Sequence, residues 1–127
     1  DTLKDRHIAL WGLAFKANTD DVRESPALDV VRFLLDAGAD VTAYDPQAMD
    51  SARRIFRDGI RYASDCYDAL KKADGLVVAT EWNEFRRPDF DQMLELMGSP
   101  VIFDGRNLFD PERMRERGFK YYGVGRI

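Results

Sequence analysis

Apolar runs alternate along the chain with stretches in which apolar residues recur every three or four positions. Residues 7–13, HIALWGL, are almost wholly apolar between a charged lead-in and a polar loop, as expected of a strand covered on both faces. Residues 26–37 then set Ala27, Val30, Val31, Leu34 and Leu35 on one helical stripe with Asp29, Arg32 and Asp36 opposite. Ser25 is suited to cap that helix, Pro26 to its first position and Gly38 to its C-terminal end. Residues 40–46 alternate as a strand stopped by Asp45-Pro46, and residues 47–59 form a second helix on Ala48, Ala52, Ile55 and Phe56.

Beyond this βαβα unit the pattern predicts a short link or minimal strand at 62–65 and a helical turn or two at 67–72. A buried strand is expected at 75–80, a helix at 89–97, a strand at 100–104, a short helix at 111–117 and a last strand at 119–125. Strands separated by helices pair in parallel, through right-handed crossovers. The predicted fold is a three-layer, Rossmann-like α/β domain with a mainly parallel sheet of about five strands. No internal repeat, linker or low-complexity tract divides the 127 residues, so one domain spanning 1–127 is expected. The charged segment 1–6, which lacks an initiator methionine, is expected to lead in from a preceding region of a longer protein.

Composition narrows the function. A chain that is 45% hydrophobic and 33% charged folds around a core, and a net charge of -4 with interleaved signs argues against nucleic acid or an anionic membrane as partner. The single cysteine, Cys66, excludes an internal disulfide, and no segment reads as a membrane span or signal peptide, which together point to a cytoplasmic protein. One histidine, His7, and one distant cysteine offer no metal-ligand spacing. Cys66 has no basic neighbour to activate it.

In open α/β sheets ligands gather beyond the carboxyl ends of the strands. Those positions are Phe15, Lys16 and the loop after the first strand, Asp45 after the second, Thr80-Glu81-Trp82 after the third, and Asp104-Gly105-Arg106-Asn107 after the fourth. Lys16 as a point charge and Arg106 as a planar fork are suited to grip a pyrophosphate near the helix start at Ser25. Equally, these cations suit solvated loops or pairing with Asp20, Asp21 and Asp104. Phe15 offers a flat face to a base or ribose, or a core contact; Arg23 points at a ligand phosphate or pairs with Asp20 or Glu24; Trp82 is a packing residue before it is a platform. Asp45, an acid ending the second strand, stands where an adenosine ribose is bound in dinucleotide folds, yet the turn after the first strand is GLAFK and not GxGxxG.

GLAFKANTDDVRESPALDVV, YDP, ATEWNEFR and IFDGRN, in this order and spacing, closely resemble the C-terminal domain of the UDP-glucose/GDP-mannose dehydrogenase family, and TEWxEF with DDxRESP looks most like its UDP-glucose 6-dehydrogenase branch. The resemblance runs from about Lys4 to the last strand. It implies an enzyme whose N-terminal domain holds NAD, whose central helical region links the halves and forms a dimer or higher assembly, and whose C-terminal domain holds the UDP of the substrate. Such enzymes oxidise UDP-glucose to UDP-glucuronate in two hydride transfers, through a covalent intermediate on a cysteine. Carried to matching positions, the resemblance implies that Phe15 and Lys16 contact the nucleotide sugar, that Arg106 binds it across the interdomain cleft, and that Arg23 reaches the NAD cofactor. Neither the glycine motif nor the glycine-rich stretch around the nucleophilic cysteine is present, so this chain supplies no catalytic residue and is expected to be inactive alone. The alternative is a freestanding NAD-binding or regulatory module with Asp45 on the ribose and no redox chemistry.

Overall fold

The computed structural model describes residues 3–123. Its elements follow in the order β1 (His7–Trp11), α1 (Pro26–Asp36), β2 (Asp40–Tyr44), α2 (Met49–Phe56), β3 (Arg61–Tyr62), β4 (Gly75–Val78), α3 (Phe90–Leu96), β5 (Val101–Asp104), α4 (Pro111–Glu116) and β6 (Lys120–Gly123). One six-stranded sheet has the order β3-β2-β1-β4-β5-β6 with every pairing parallel. This is the expected α/β domain with one strand more: the link near residue 62 is a two-residue edge strand that extends the sheet beyond β2. The segment expected to turn helically at 67–72 is a single 3-10 turn, Asp68–Leu70. Positions 124 and 125 of the last predicted strand lie outside the described residues.

The first strand stops at Trp11, two residues short of the apolar run, because Gly12 takes φ +102 and turns the chain. That turn admits only glycine, since a Cβ there would lie 2.4 Å from the Thr80 Cβ. The α1 start forms as its sequence dictates, with the Ser25 hydroxyl accepting from the Ala27 N–H and Pro26 in the first turn.

Two apolar clusters cover the two faces. On one, α1 and α2 pack Leu28, Val31, Leu34 and Ala52 against Ile8, Leu10, Val41 and Ala43. On the other, the 3-10 turn, α3 and α4 bring Leu70, Met93 and Met114 against Trp11, Leu76, Val78, Ile102 and Tyr121, with Trp11 stacked on Phe85 at 5.1 Å. All described strands point the same way, so the loops after β1, β2, β4 and β5 meet along one rim.

Candidate functional site: the rim at the carboxyl ends of the strands

The buried polar and charged side chains of the described residues are Ser25, Asp45, Thr80 and Asp104, and all four stand on this rim. Buried polar groups of this kind persist when their hydrogen bonds are met, and here each fastens a loop. Asp45 is fully buried. Its Oδ2 accepts from the Leu13 N–H (2.8 Å), the Ala14 N–H (3.1 Å) and the Trp82 indole N–H (3.0 Å), and its Oδ1 accepts from the N–H groups of Gln47 (2.9 Å) and Ala48 (2.8 Å). One carboxylate therefore fixes the loops after β1, β2 and β4. The Ser25 hydroxyl donates to the Leu13 carbonyl and the Thr80 hydroxyl to the Ala14 carbonyl, both at 2.8 Å.

These bonds consume the turn that a dinucleotide fold uses to cradle phosphate. The N–H of Gly12 goes to the Tyr44 carbonyl, those of Leu13 and Ala14 to Asp45, and that of Phe15 to the Asp21 carbonyl. No backbone donor of residues 12–15 is left facing outward, so these four residues offer an anion no N–H group.

The side chains are placed accordingly. Phe15 is 39% exposed and the Lys16 ammonium lies 5.3 Å from its ring centroid, a cation–π pair that turns both outward from the fixed turn. Arg106 follows β5. Asp104 holds its loop by accepting from the N–H groups of Arg106 (3.0 Å) and Phe109 (3.1 Å) and from the Tyr121 hydroxyl (2.7 Å). The Arg106 guanidinium is ion-paired with Glu81 in the loop after β4 and its side chain remains 40% exposed. Pairing with Glu81 was not legible beforehand; Asp104, the carboxylate nearest in sequence, engages the Arg106 backbone and not its guanidinium.

Arg23 pairs with Asp21, the one neighbouring acid not anticipated for it, through Nε (3.1 Å) and Nη2 (2.9 Å), with 87% of its side chain exposed. That bond holds the Asp21 carboxyl below its ordinary range and the guanidinium above its own. Arg23, Phe15, Asp21 and Glu24 line one open depression of about 520 Å³. Asp45 does not face a ribose: both of its oxygens are turned inward, so the role considered for it in dinucleotide binding is replaced by a structural one. Trp82 is a packing residue at 6% exposure. Cys66 is buried, its thiol pushed up to about 11 chiefly by burial, opposite to what a nucleophile needs.

Among the described residues no group of three or more His, Cys, Asp or Glu could hold a metal, and no helix is long and apolar enough to cross a membrane. A second cleft of about 560 Å³ opens between α3 and α4, lined by Arg86, Arg113 and Arg117 with Asp89, Phe90 and Asp110, and contains none of Phe15, Lys16, Arg23 and Arg106.

Comparison with known proteins gives the family and the fold. Residues 9–111 match the family model of the UDP-glucose/GDP-mannose dehydrogenase family, UDP binding domain. The chain is 47% identical to the UDP-glucose 6-dehydrogenase of Rhizobium meliloti over 98% of its own length and 28% of that protein's. It is 42% identical to the UDP-glucose 6-dehydrogenase of Bacillus subtilis over 98% of its length and 27% of that protein's. A UDP-glucose dehydrogenase structure from Pyrobaculum islandicum superimposes with a TM-score of 0.81 at 38% identity, covering 97% of this chain and 26% of that one. The chain thus spans little more than a quarter of the length of these relatives, and over that span it belongs to the UDP-glucose/GDP-mannose dehydrogenase family, as a UDP-binding domain.

Proposed function

We propose that this chain is the UDP-sugar-binding domain of an NAD-dependent UDP-glucose 6-dehydrogenase, which oxidises UDP-glucose to UDP-glucuronate. One observation supports the assignment of its site above others: the β1–α1 turn spends every N–H of residues 12–15 internally, while Lys16 and Arg106 present charge from the same rim. A turn of this kind receives a diphosphate with side chains, from across a cleft, and leaves dinucleotide binding to another domain.

Phe15 would supply an apolar face to the nucleotide sugar, Lys16 and Arg106 its counter-charge, with Glu81 presetting the guanidinium. When bound, NAD supplies the hydride acceptor. Arg23 would approach it from the exposed side of its pair with Asp21. The Arg23 depression carries two carboxylates and one guanidinium, so it suits hydroxyl or amide groups of the cofactor better than its phosphates. The remainder of the enzyme, N-terminal and central domains assembled as a dimer or higher form in the cytoplasm, would complete the site; the chain alone carries no catalytic residue and would be inactive.

The test is a titration of the isotope-labelled 127-residue chain with UDP-glucose and, separately, NAD, followed by backbone amide shifts. Shifts centred on Phe15, Lys16 and Arg106 with UDP-glucose, abolished by Lys16→Ala and Arg106→Ala, are expected. A saturable NAD response around Gly12, with UDP-glucose inert, would overturn the assignment in favour of a dinucleotide module. In the full-length enzyme the same two substitutions should cut UDP-glucose turnover severely, and near-normal kinetics for both would remove these residues from the site.

A further inference from the structure

The cleft of about 560 Å³ between α3 and α4 gathers positive charge in a chain whose net charge is -4. Arg86 and Arg87 stand on one wall, ahead of α3, and Arg113 and Arg117 on the other, four residues apart along α4 and its C-terminal cap. Against them are the carboxylates of Asp89, Asp91 and Asp110, two of which are already engaged. Asp89 caps α3 by accepting from the Gln92 N–H at 3.1 Å, and Asp110 pairs with Arg113 at 3.6 Å. Among the described residues Arg86, Arg87 and Arg117 form no ion pair. The walls that carry them are fixed. The 3-10 turn Asn83–Phe85 before Arg86 is anchored by the fully buried Phe85, and the Asp89 N–H donates to the Tyr67 hydroxyl at 2.8 Å. The Phe90 ring is held edge-on by Phe109 at 5.6 Å and Phe119 at 6.2 Å, both buried, and the Arg117 guanidinium lies over it, 4.6 Å from its centroid. A guanidinium laid on a ring keeps its other side for a second flat group.

We propose that this cleft binds a nucleoside polyphosphate, at a site separate from the rim that carries Phe15, Lys16 and Arg106. Arg86, Arg87 and Arg113 would meet the phosphates, and the base would stack on the Arg117 guanidinium backed by Phe90. Two features select that class of ligand. Guanidiniums on facing walls suit a ligand with several anionic oxygens, because their planar forks bind phosphate bidentately and a single exposed ion pair contributes little. The floor formed by Leu108, Phe109 and Met114 beside the stacked pair is apolar, which offers nothing to an inorganic anion and suits a base. The volume also lies within the range of small-molecule sites, roughly 300–1,000 Å³. Asp91, the third carboxylate, opposes the phosphates and keeps the affinity modest. Nothing in this site depends on what the rim binds.

Titration of the isotope-labelled 127-residue chain with ATP, and separately with tripolyphosphate, tests this through backbone amide and arginine side-chain shifts. With ATP, saturable shifts are expected across residues 86–91 and 108–117 while Phe15 and Lys16 are unmoved, and excess UDP-glucose should not displace the nucleotide. ATP should bind about tenfold more tightly than tripolyphosphate, the contribution of one stacked base. Arg86→Gln combined with Arg87→Gln should weaken both ligands about tenfold or more. Arg117→Gln should abolish the advantage of ATP over tripolyphosphate. All three arginines are exposed, so the variants are expected to fold as the native chain does. Equal affinity of the native chain for ATP and tripolyphosphate would show an adventitious polyanion contact only and overturn the nucleotide site. So would shifts centred on Phe15 and Lys16, or displacement by UDP-glucose, which place the ligand at the rim, and so would no saturable response to millimolar ATP. An inert UDP-glucose titration would count against the rim alone, so the two sites fail or stand independently.

Discussion

Asp45→Asn replaces one oxygen by an NH2 group and should loosen much of what the rim depends on. The carboxylate accepts five hydrogen bonds at 2.8 to 3.1 Å, three on one oxygen and two on the other. An asparagine keeps a single acceptor. Its better orientation leaves the carbonyl on the three donors of Leu13, Ala14 and Trp82 and sets an NH2 against the N–H groups of Gln47 and Ala48. Two bonds to a charged acceptor are then lost, each worth about 1.5–3 kcal/mol, and buried donors remain without partners. Destabilisation of roughly 3–6 kcal/mol follows, a large share of the ~5–15 kcal/mol that holds a domain of this size. Urea unfolding of the 127-residue chain measures it, with a midpoint expected to fall by ~1.5–3 M at an m-value of ~2 kcal/mol/M. The two tryptophans give an internal control by NMR. The Trp82 indole N–H, bonded to Asp45, should shift and exchange faster, whereas the Trp11 indole N–H, bonded to the Cys66 carbonyl at 2.9 Å, should hold its place. A midpoint shift below about 0.5 M with an unmoved Trp82 signal would refute the five-bond hub, since even one lost charged bond exceeds that.

Three further outcomes are expected. Gly12→Ala should destabilise by about 2–4 kcal/mol in the same assay, because the added Cβ meets Thr80 at 2.4 Å and φ is +102, where L side chains are strained. Thr80→Val removes the hydroxyl that donates to the Ala14 carbonyl and should cost about 1–2 kcal/mol, leaving that buried carbonyl unpaired. Stability should also fall in alkali: burial raises Cys66 from 9.0 to about 11, and burial together with the nearby Glu84 raises Tyr44 from 10.0 to about 12. Both groups lose protons first in the unfolded chain, so their contribution is whole below about pH 9 and declines as pH rises through the folded values. Cys66→Ala should make that decline shallower between pH 9 and 11, and equal slopes in the two proteins would show that the thiol is not protected.

Much of this was legible because it is written in periodicity. The α1 helix was readable from a stripe of Val30, Val31, Leu34 and Leu35 and from a Ser25-Pro26 start, and the structure forms it there because those signals act within a few residues. The edge strand β3 was not, since two residues carry no period and Arg61–Tyr62 is a strand only by pairing with Thr42 and Ala43. At the rim, position was legible and partnership was not. That Asp45, Thr80 and Asp104 end strands follows from local pattern, whereas the distances that join Asp45 to Trp82 across 37 residues, or Arg106 to Glu81, depend on which strands become neighbours. The missing GxGxxG signalled that this turn would not cradle a phosphate; it did not signal that Asp45 would take the vacated donors.

That substitution of roles has a consequence for how the domain works. In a glycine-rich turn the backbone itself is the ligand site, so the fold and the binding are one feature and a single carboxylate on β2 remains to read the ribose. Here the same carboxylate has been drawn inward to hold the turn shut, and with Ser25 and Thr80 it fixes the backbone from which Phe15 and Lys16 project. Rigidity and recognition are thereby separated: the buried network sets position, and exposed side chains provide charge and an apolar face. Substitutions at Lys16 or Arg106 should therefore weaken ligand binding with little loss of stability, because both residues are exposed, Lys16 against Phe15 and Arg106 paired with Glu81. Substitution of Asp45 should do the reverse, lowering stability first and binding only as the turn loosens. Unfolding midpoints and nucleotide-induced amide shifts measured on the three variants side by side separate the two kinds of residue, and a Lys16→Ala protein as unstable as Asp45→Asn would show that the separation does not hold.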